Sequence, residues 1–430
     1  MSGTVLLGPS YISDMRPRIF LAVLFSIVLT LCTSSRAADL ALVHAKIYPS
    51  PTAAPIADGT ILVHNGRIQA VGPAGKIKIP ASSPVTVLDC RGLVVTAGFW
   101  NSHVHVLTPG LLQADQRSAA DLSAQLEQML TRWGFTTVFD IASVLENTNV
   151  IRRRIASGEV KGPRILTVGA PFYPKNGTPV YAKAFLEEHH IPSAEVESAQ
   201  QAVDRVRQQV KDGADGVKIF AGAILADRVL PMPLDVAKAI VTEAHRAGKP
   251  VFAHPSNQEG LEVSLQSGVD ILAHTAPMSG DWSPAFTARL KAAHMALIPT
   301  LTLFDVEAKK LKVSPEENEQ WIKQAVQELK AYSAAGGQIL FGTDVGYTDH
   351  FDTAEEFTLM SRAGMSFQQI LASLTTSPAA RFGYATHSGT IASGMDADLV
   401  VLKADPAADI ANFSKVHLVI RDGKVIYSAD

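Results

Sequence analysis

Eight short apolar runs, spread through the middle of the chain and separated by helix-like stretches, constrain the fold more than any other feature. They are "GFWNSHVH", "TTVFDI", "RILTVG", "GVKIF", "PVFAH", "DILAH", "ALIPTL" and "QILFGTD". Between most of them lie segments of helical period, such as "SAEVESAQQAVDRVRQQVKDG" and "PLDVAKAIVTEAHRAG". Strand and helix alternating in this way, with eight strand candidates, fit an α/β fold of the (β/α)8 or TIM-barrel type over residues 98–387. The structural rival is an open doubly wound sheet. That fold would want a glycine-rich phosphate loop after an early strand, and the sequence holds no G-x-G-x-x-G or Walker-type motif. The barrel is the better reading.

The flanks read differently. "LALVHAKIYP", "TILVHNGRIQAVG" and "VTVLDCRGLVV" precede the barrel, and "DADLVVLK" and "KVHLVIRDGKVIYS" follow it. Asn65-Gly66 and Asp422-Gly423 each fall between two β-type runs, the signature of a two-residue hairpin turn. All-β ends around a different middle predict one small β-sandwich domain assembled from residues 38–97 and 388–430.

The first 37 residues stand apart. From Met15, two arginines lead into an apolar stretch from Ile19 to Leu31, and small residues follow, with Ser35 and Ala37 at the −3 and −1 places of a cleavage site. This order is that of a secretory signal peptide, with Met1 or Met15 as the start, and it predicts an exported chain, periplasmic or secreted, with no stable membrane insertion after cleavage. A membrane anchor is the weaker reading, because the apolar run is short for a bilayer. A lipid anchor at Cys32 is disfavoured by Leu31, where a small residue is wanted. After cleavage only Cys90 remains, so no intrachain disulfide can form, and Cys90 reads as a small buried residue.

With 47% hydrophobic and 18% charged residues, a net charge of −3 and no basic block, the chain is globular, and nucleic acid is excluded as a partner. A small molecule or short peptide remains, and a homo-oligomer is compatible with the sequence.

Five of the eight strand ends carry a residue able to hold a metal. "GFWNSHVHVL" places His103 and His105 at i and i+2, on one face of an extended segment. Lys218 lies in "GVKIF", His254 ends "PVFAH", His274 ends "DILAH" and Asp344 ends "QILFGTD". Each has a bland alternative: two polar residues on a wet strand face, a snorkelling lysine, a cap, a satisfied core histidine, or an N-cap. A barrel nevertheless gathers all its C-terminal strand ends at one mouth, and bland explanations multiply poorly across strands one, four, five, six and eight. Weaker candidates for substrate contact are Ser256 and Asn257 after His254, and Tyr347 and His350 after Asp344, with a solvated loop as the alternative. Residues 169–181, "GAPFYPKNGTPVY", read as either part of a lid or a plain connection.

These segments, together with "FAHPSN", "LAHTAP", "FGTDVG" and the closing "SPAARFG…GTIASGMDADLVVL", resemble the amidohydrolase superfamily of metal-dependent hydrolases. The branch is that of imidazolonepropionase-like enzymes and exported dipeptidases, and the resemblance covers essentially the whole mature chain. It implies two divalent metal ions, zinc foremost. His103, His105 and Asp344 would hold one and His254 and His274 the other, with Lys218, carboxylated by carbon dioxide, bridging them together with a hydroxide. Two departures stand out. Asn101 occupies a position where the family often has Asp, which removes a charge, and Ala97-Gly98 replaces the usual Pro-Gly.

The chemistry agrees with the residue types. Imidazoles and carboxylates suit zinc. A lysine ammonium cannot ligate a metal, but a lysine buried near cations loses its proton more easily, and the neutral amine captures carbon dioxide as an anionic carbamate. Paired metals acidify a shared water and stabilise the tetrahedral oxyanion, and Asp344 is placed to pass the proton to the leaving nitrogen. A mononuclear site of His103, His105, His254 and Asp344 is the variant that Lys218 argues against. The expected activity is cleavage of a C–N amide bond in a dipeptide, N-acyl amino acid or cyclic amide. Ester, lactone or phosphotriester hydrolysis on the same site is the alternative. A binding protein that had lost its chemistry would lack ligands, and none is missing.

Overall fold

In the computed structural model, residues 39–79 and 85–429 are described. The predicted signal segment and the Cys32 site lie outside them. Eight parallel strands form the centre: Phe99–Val104, Phe135–Asp140, Arg164–Thr167, Val217–Phe220, Val251–His254, Ile271–Leu272, Ala296–Leu297 and Gln338–Ile339. The first three pair in order, as do the last five. A parallel bridge between Phe172 and Ile219 joins the two groups, and one between Val104 and Val345 closes the ring. Backbone bonds from Ser102 N to Phe341 O (2.7 Å) and His105 N to Val345 O (2.8 Å) seal that closure. The arrangement is TIM-barrel-like, as the alternating pattern predicts.

Strand alternation decides what fills the barrel. In Val251–His254, Val251 and Ala253 join the core beneath the helices, while Phe252 joins a second cluster with Trp100, Phe139, Ile271, Ala296 and Leu340. That second cluster plugs the interior, as period-two strands closed into a ring require. His254 is next in the inward register, one step above the plug. Helices of matching amphipathic period cover the outside. Leu234–Arg246 buries Val236, Ala237, Ile240, Val241 and Ala244, and Ala199–Lys211, capped by the Ser198 side chain on the Gln201 amide, buries Ala202, Val206 and Gln209.

Strands from the two ends of the chain share a single eight-stranded sheet. Asp39–Ile47 pairs with Ile56–His64, Val85–Asp89 and Val94–Ala97, and Val94–Ala97 pairs with Leu399–Leu402 from the far end. Both predicted turns are tight hairpins with left-handed residues: Asn65 (φ 50) with Gly66 (φ 77), and Asp422 (φ 48) with Gly423 (φ 71). Alternate residues of Leu399–Leu402 serve two cores. Leu399 and Val401 pack within the sheet's own cluster, and Val400 and Leu402 pack with the barrel's helices. Cys90 is buried and unpaired, with burial pushing its thiol up to about 11.

Candidate metal centre and substrate pocket

The inward residues at the C-terminal strand ends converge as the barrel geometry requires. Among the described residues, His103, His105 and Asp344 form a compact ligand group. Asp344 Oδ1 lies 3.1 Å from His103 Nε2 and 2.7 Å from His105 Nε2, and those two nitrogens are 3.3 Å apart. His274 Nε2 lies 3.9 Å from Asp344 Oδ2. The ring of His274 is 4.6 Å from that of His103 and 4.7 Å from that of His254, centre to centre. Lys218 is buried at the same end of the cavity, its ammonium 5.6 Å from the centre of the Phe220 ring.

Proton bookkeeping shows what this cluster is built to hold. His103 Nδ1 lies 2.9 Å from the Ala273 carbonyl oxygen and His105 Nδ1 lies 3.0 Å from that of Ala142. A carbonyl only accepts, so both Nδ1 atoms carry the proton. His274 Nδ1 faces Thr300 Oγ1 at 2.7 Å, and that hydroxyl donates to the Pro299 carbonyl at 2.9 Å, which leaves it to accept from the ring. In the neutral rings each Nε2 is therefore bare. His254 Nε2 and Asp344 Oδ1 are buried without a hydrogen-bond partner. Burial favours the neutral form of three of the imidazoles: His103 is pushed down to about 4, His254 to about 3 with help from the Lys218 charge, and His274 well below its usual range. Burial works against the Asp344 carboxylate, but the neighbouring His103 and His105 outweigh it and hold its pKa well below the usual range. With the rings neutral, lone pairs face lone pairs at contact distance, and a cation held between them would relieve the repulsion.

Lys218 fits the same logic. Burial pushes its ammonium down to about 7, against the pull of Asp344, and no carboxylate among the described residues pairs with it.

Asn101, noted in the sequence as a departure, and several residues that motif reading passed over hold these side chains in place. Asn101 is fully buried. Its Nδ2 donates to Thr343 Oγ1 (2.7 Å) and its Oδ1 accepts from His103 N (3.2 Å), tying the first barrel strand to the segment carrying Asp344. Asp344 itself sits at φ 60, a strained backbone for a residue with a side chain, held by its amide on His103 O at 2.9 Å. A Cβ at Gly346 (φ 100) would run into the His105 carbonyl, so only glycine allows this approach. Asp140 accepts from Val106 N (3.1 Å) and Thr167 Oγ1 (2.7 Å), fixing the backbone just after His105. Its place at the end of "TTVFDI", like the ligands at other strand ends, was the available signal.

The weaker candidates separate. Tyr347 and Ser256 line the cavity, with Ser256 Oγ bonded to the Gly222 carbonyl at 2.6 Å. Asn257 caps the helix Gln258–Ser267 through the Gly260 amide, and His350 is exposed, and neither lines the cavity. Tyr173 and Tyr181, from the 169–181 segment, do line it. The cavity holds about 830 Å³, and its lining joins the histidines to aromatic residues, with Phe220 stacked on His254 at 4.8 Å between ring centres.

A family model for the amidohydrolase family matches residues 94–426, which takes in every residue of this cluster. The chain belongs to the amidohydrolase family. It is therefore an enzyme, a hydrolase acting on carbon–nitrogen bonds. Ochratoxinase of Aspergillus niger is 23% identical over 424 residues, covering 89% of this chain and 85% of that protein. Imidazolonepropionase of Thermoplasma acidophilum is 23% identical over 399 residues, covering 86% and 89%. Among solved structures, a Xaa-Pro dipeptidase with bound methionine in its active site superposes with a TM-score of 0.77 at 23% identity, covering 91% of this chain and all of that one. The A. niger ochratoxinase crystal structure gives a TM-score of 0.74 at 20% identity, covering 91% and 96%. These two structural matches establish the shared fold of this amidohydrolase.

Proposed function

We propose that this amidohydrolase is an exported enzyme that uses two divalent cations, zinc foremost, to cleave a C–N amide bond of a small substrate: a dipeptide, an N-acyl amino acid or a cyclic amide. In this reading residues 1–37 are the signal peptide, 98–387 the catalytic (β/α)8 barrel, and 38–97 with 388–430 a composite β-sandwich domain. The observation that carries the proposal is the set of bare, buried Nε2 atoms gathered around an ionised Asp344.

His103, His105 and Asp344 would hold one ion, and His254 and His274 the other. Lys218 would join them as a carbamate, since an amine pushed down to about 7 is partly neutral at physiological pH and free to take up carbon dioxide. When bound, the ions would supply Lewis acidity toward the amide carbonyl and toward water. The chain's own residues do the rest. The Nδ1 anchors on Ala273, Ala142 and Thr300 hold the rings in one orientation. Asp344 accepts a proton from the attacking water and returns it to the leaving nitrogen.

A hydrolysis panel on metal-loaded protein tests this, with dipeptides, N-acyl amino acids and cyclic amides set against lactones and phosphotriesters. The expected result is turnover of one amide class above the others. Faster turnover of a lactone or phosphotriester than of every amide would replace the reading. No hydrolysis at full metal occupancy would reduce the chain to a binding protein.

A further inference from the structure

The cavity is larger, and its outer part more apolar, than a small zwitterionic amide needs. At about 830 Å³ it lies near the top of the ~300–1,000 Å³ range of pockets that enclose drug-sized ligands. Phe220 stacks on His254, and Tyr181, Phe185, Phe304 and Trp321 add further aromatic wall. The wall runs out to an apolar rim. Met278 is 67% exposed and Leu311 64%, and both line the cavity. These are two of the six large hydrophobic residues exposed among the described residues, and they come from separate segments, the turn Pro277–Ser279 and helix Leu301–Leu311. Apolar side chains brought together in water from distant parts of a chain mark a binding surface.

The charges of the outer cavity cancel within the protein. Glu307 and Lys310 are the charged lining residues outside the inner cluster, and they pair at 3.3 Å. Tyr347 donates its hydroxyl to Glu307 at 2.9 Å, and the Lys310 ammonium lies 4.1 Å from the centre of the Tyr347 ring. A charged substrate group would have to break that arrangement. No arginine stands among the described lining residues to grip a free carboxylate with a planar fork. The wall is also held firmly, because buried Glu356 accepts from the amides of Leu301 (2.9 Å) and Thr302 (2.8 Å) at the start of the helix that supplies Phe304 and Leu311.

We infer that the substrate carries, away from its scissile bond, a large uncharged apolar group, aryl or long alkyl, and that the rim residues Met278 and Leu311 select it. The identity of the scissile bond rests on the hydrolase reading above; the preference for an apolar group rests on the wall and rim.

The test uses the metal-loaded full chain and two amide series, one enlarged on the acyl side and one on the amine side. Each runs from methyl to decyl and naphthyl, with ω-carboxylate and ω-ammonium versions of the decyl member. In at least one series kcat/KM rises on the order of tenfold or more from methyl to the large apolar member and drops for the charged versions. Leu311→Glu and Met278→Glu, at exposed positions, narrow the ratio of large to small. Ratios near one in both series, or preference for a charged member, would overturn the inference while leaving amide hydrolysis standing. If no amide is hydrolysed, the hydrolase reading fails, and calorimetric titration of the same compounds decides the pocket separately. Tighter binding of the large apolar members supports it, and equal or weaker binding overturns it.

Discussion

In the eight-stranded sheet, Leu399, Val401 and Ile420 are fully buried among other aliphatic side chains, and its hairpins turn at Asn-Gly and Asp-Gly pairs suited to left-handed backbone. At the barrel mouth, His103, Lys218, His274 and Asp344 are buried almost as deeply, yet their lone pairs and charges face one another. The sheet keeps its departures to turns and bulges, whereas the mouth gathers several within its buried centre: bare nitrogens, a low-lying lysine pKa, and an aspartate at positive φ beside two histidines. Burial means stability in the sheet and stored demand for a ligand at the mouth. Rule-breaking of this kind, supported by a second layer of hydrogen bonds, is what a functional site is expected to show.

Substitutions in the two regions should therefore separate activity from stability. Asp344→Asn carries the largest expected effect. Turnover should fall by about 10²–10⁴-fold, because an amide cannot move the proton, while the melting temperature of the metal-loaded protein stays close to that of wild type. Retained turnover in a metal-replete variant would assign the proton transfer elsewhere. Leu399→Ala should act in the opposite sense, costing about 2–5 kcal/mol of stability in denaturant unfolding with metal content and turnover of the folded protein preserved. Loss of metal alongside would erase the contrast between sheet and mouth.

Asn101 is a neutral support beneath a charged site, so Asn101→Ala should act on the mouth without touching the sheet. Metal affinity should weaken by about 10–100-fold, the usual scale for a residue that orients ligands, and competition with a chelator of known affinity measures it. Unchanged affinity would make Asn101 a packing residue only. The smallest effect belongs to Gly423→Ala, about 1–2 kcal/mol of stability from a Cβ forced into left-handed backbone beside Gly66, with no change in metal affinity.

How well each part could be read in advance follows the same division. The barrel strands were legible because inward and outward registers both demand apolar residues, leaving short runs such as "PVFAH" that stand out from helical segments. Asn65-Gly66 and Asp422-Gly423 were legible because few dipeptides tolerate that turn. The ligand candidates were visible as polar residues interrupting apolar strand ends. Their supports were less so: Thr300 and Asp140 act through contacts with residues 26 and 27 positions away, and Asn101, visible only as a departure, bonds to Thr343, 242 positions on. Asn257 misled for a related reason: a polar residue one turn after a ligand serves equally as a substrate contact or a helix cap, and here it caps. The apolar rim left no pattern, because Met278 and Leu311 reach the same cavity from segments more than 30 positions apart.

If the bare nitrogens and Lys218 together hold two cations, elemental analysis of purified protein and of its Lys218→Ala variant will show it. The wild type should carry about two divalent ions per chain, with metal and activity lost together in Lys218→Ala and partly regained on adding a short carboxylate to fill the gap. One tightly held ion at full activity, or a Lys218→Ala protein that keeps its metal and turns over normally, would contradict it.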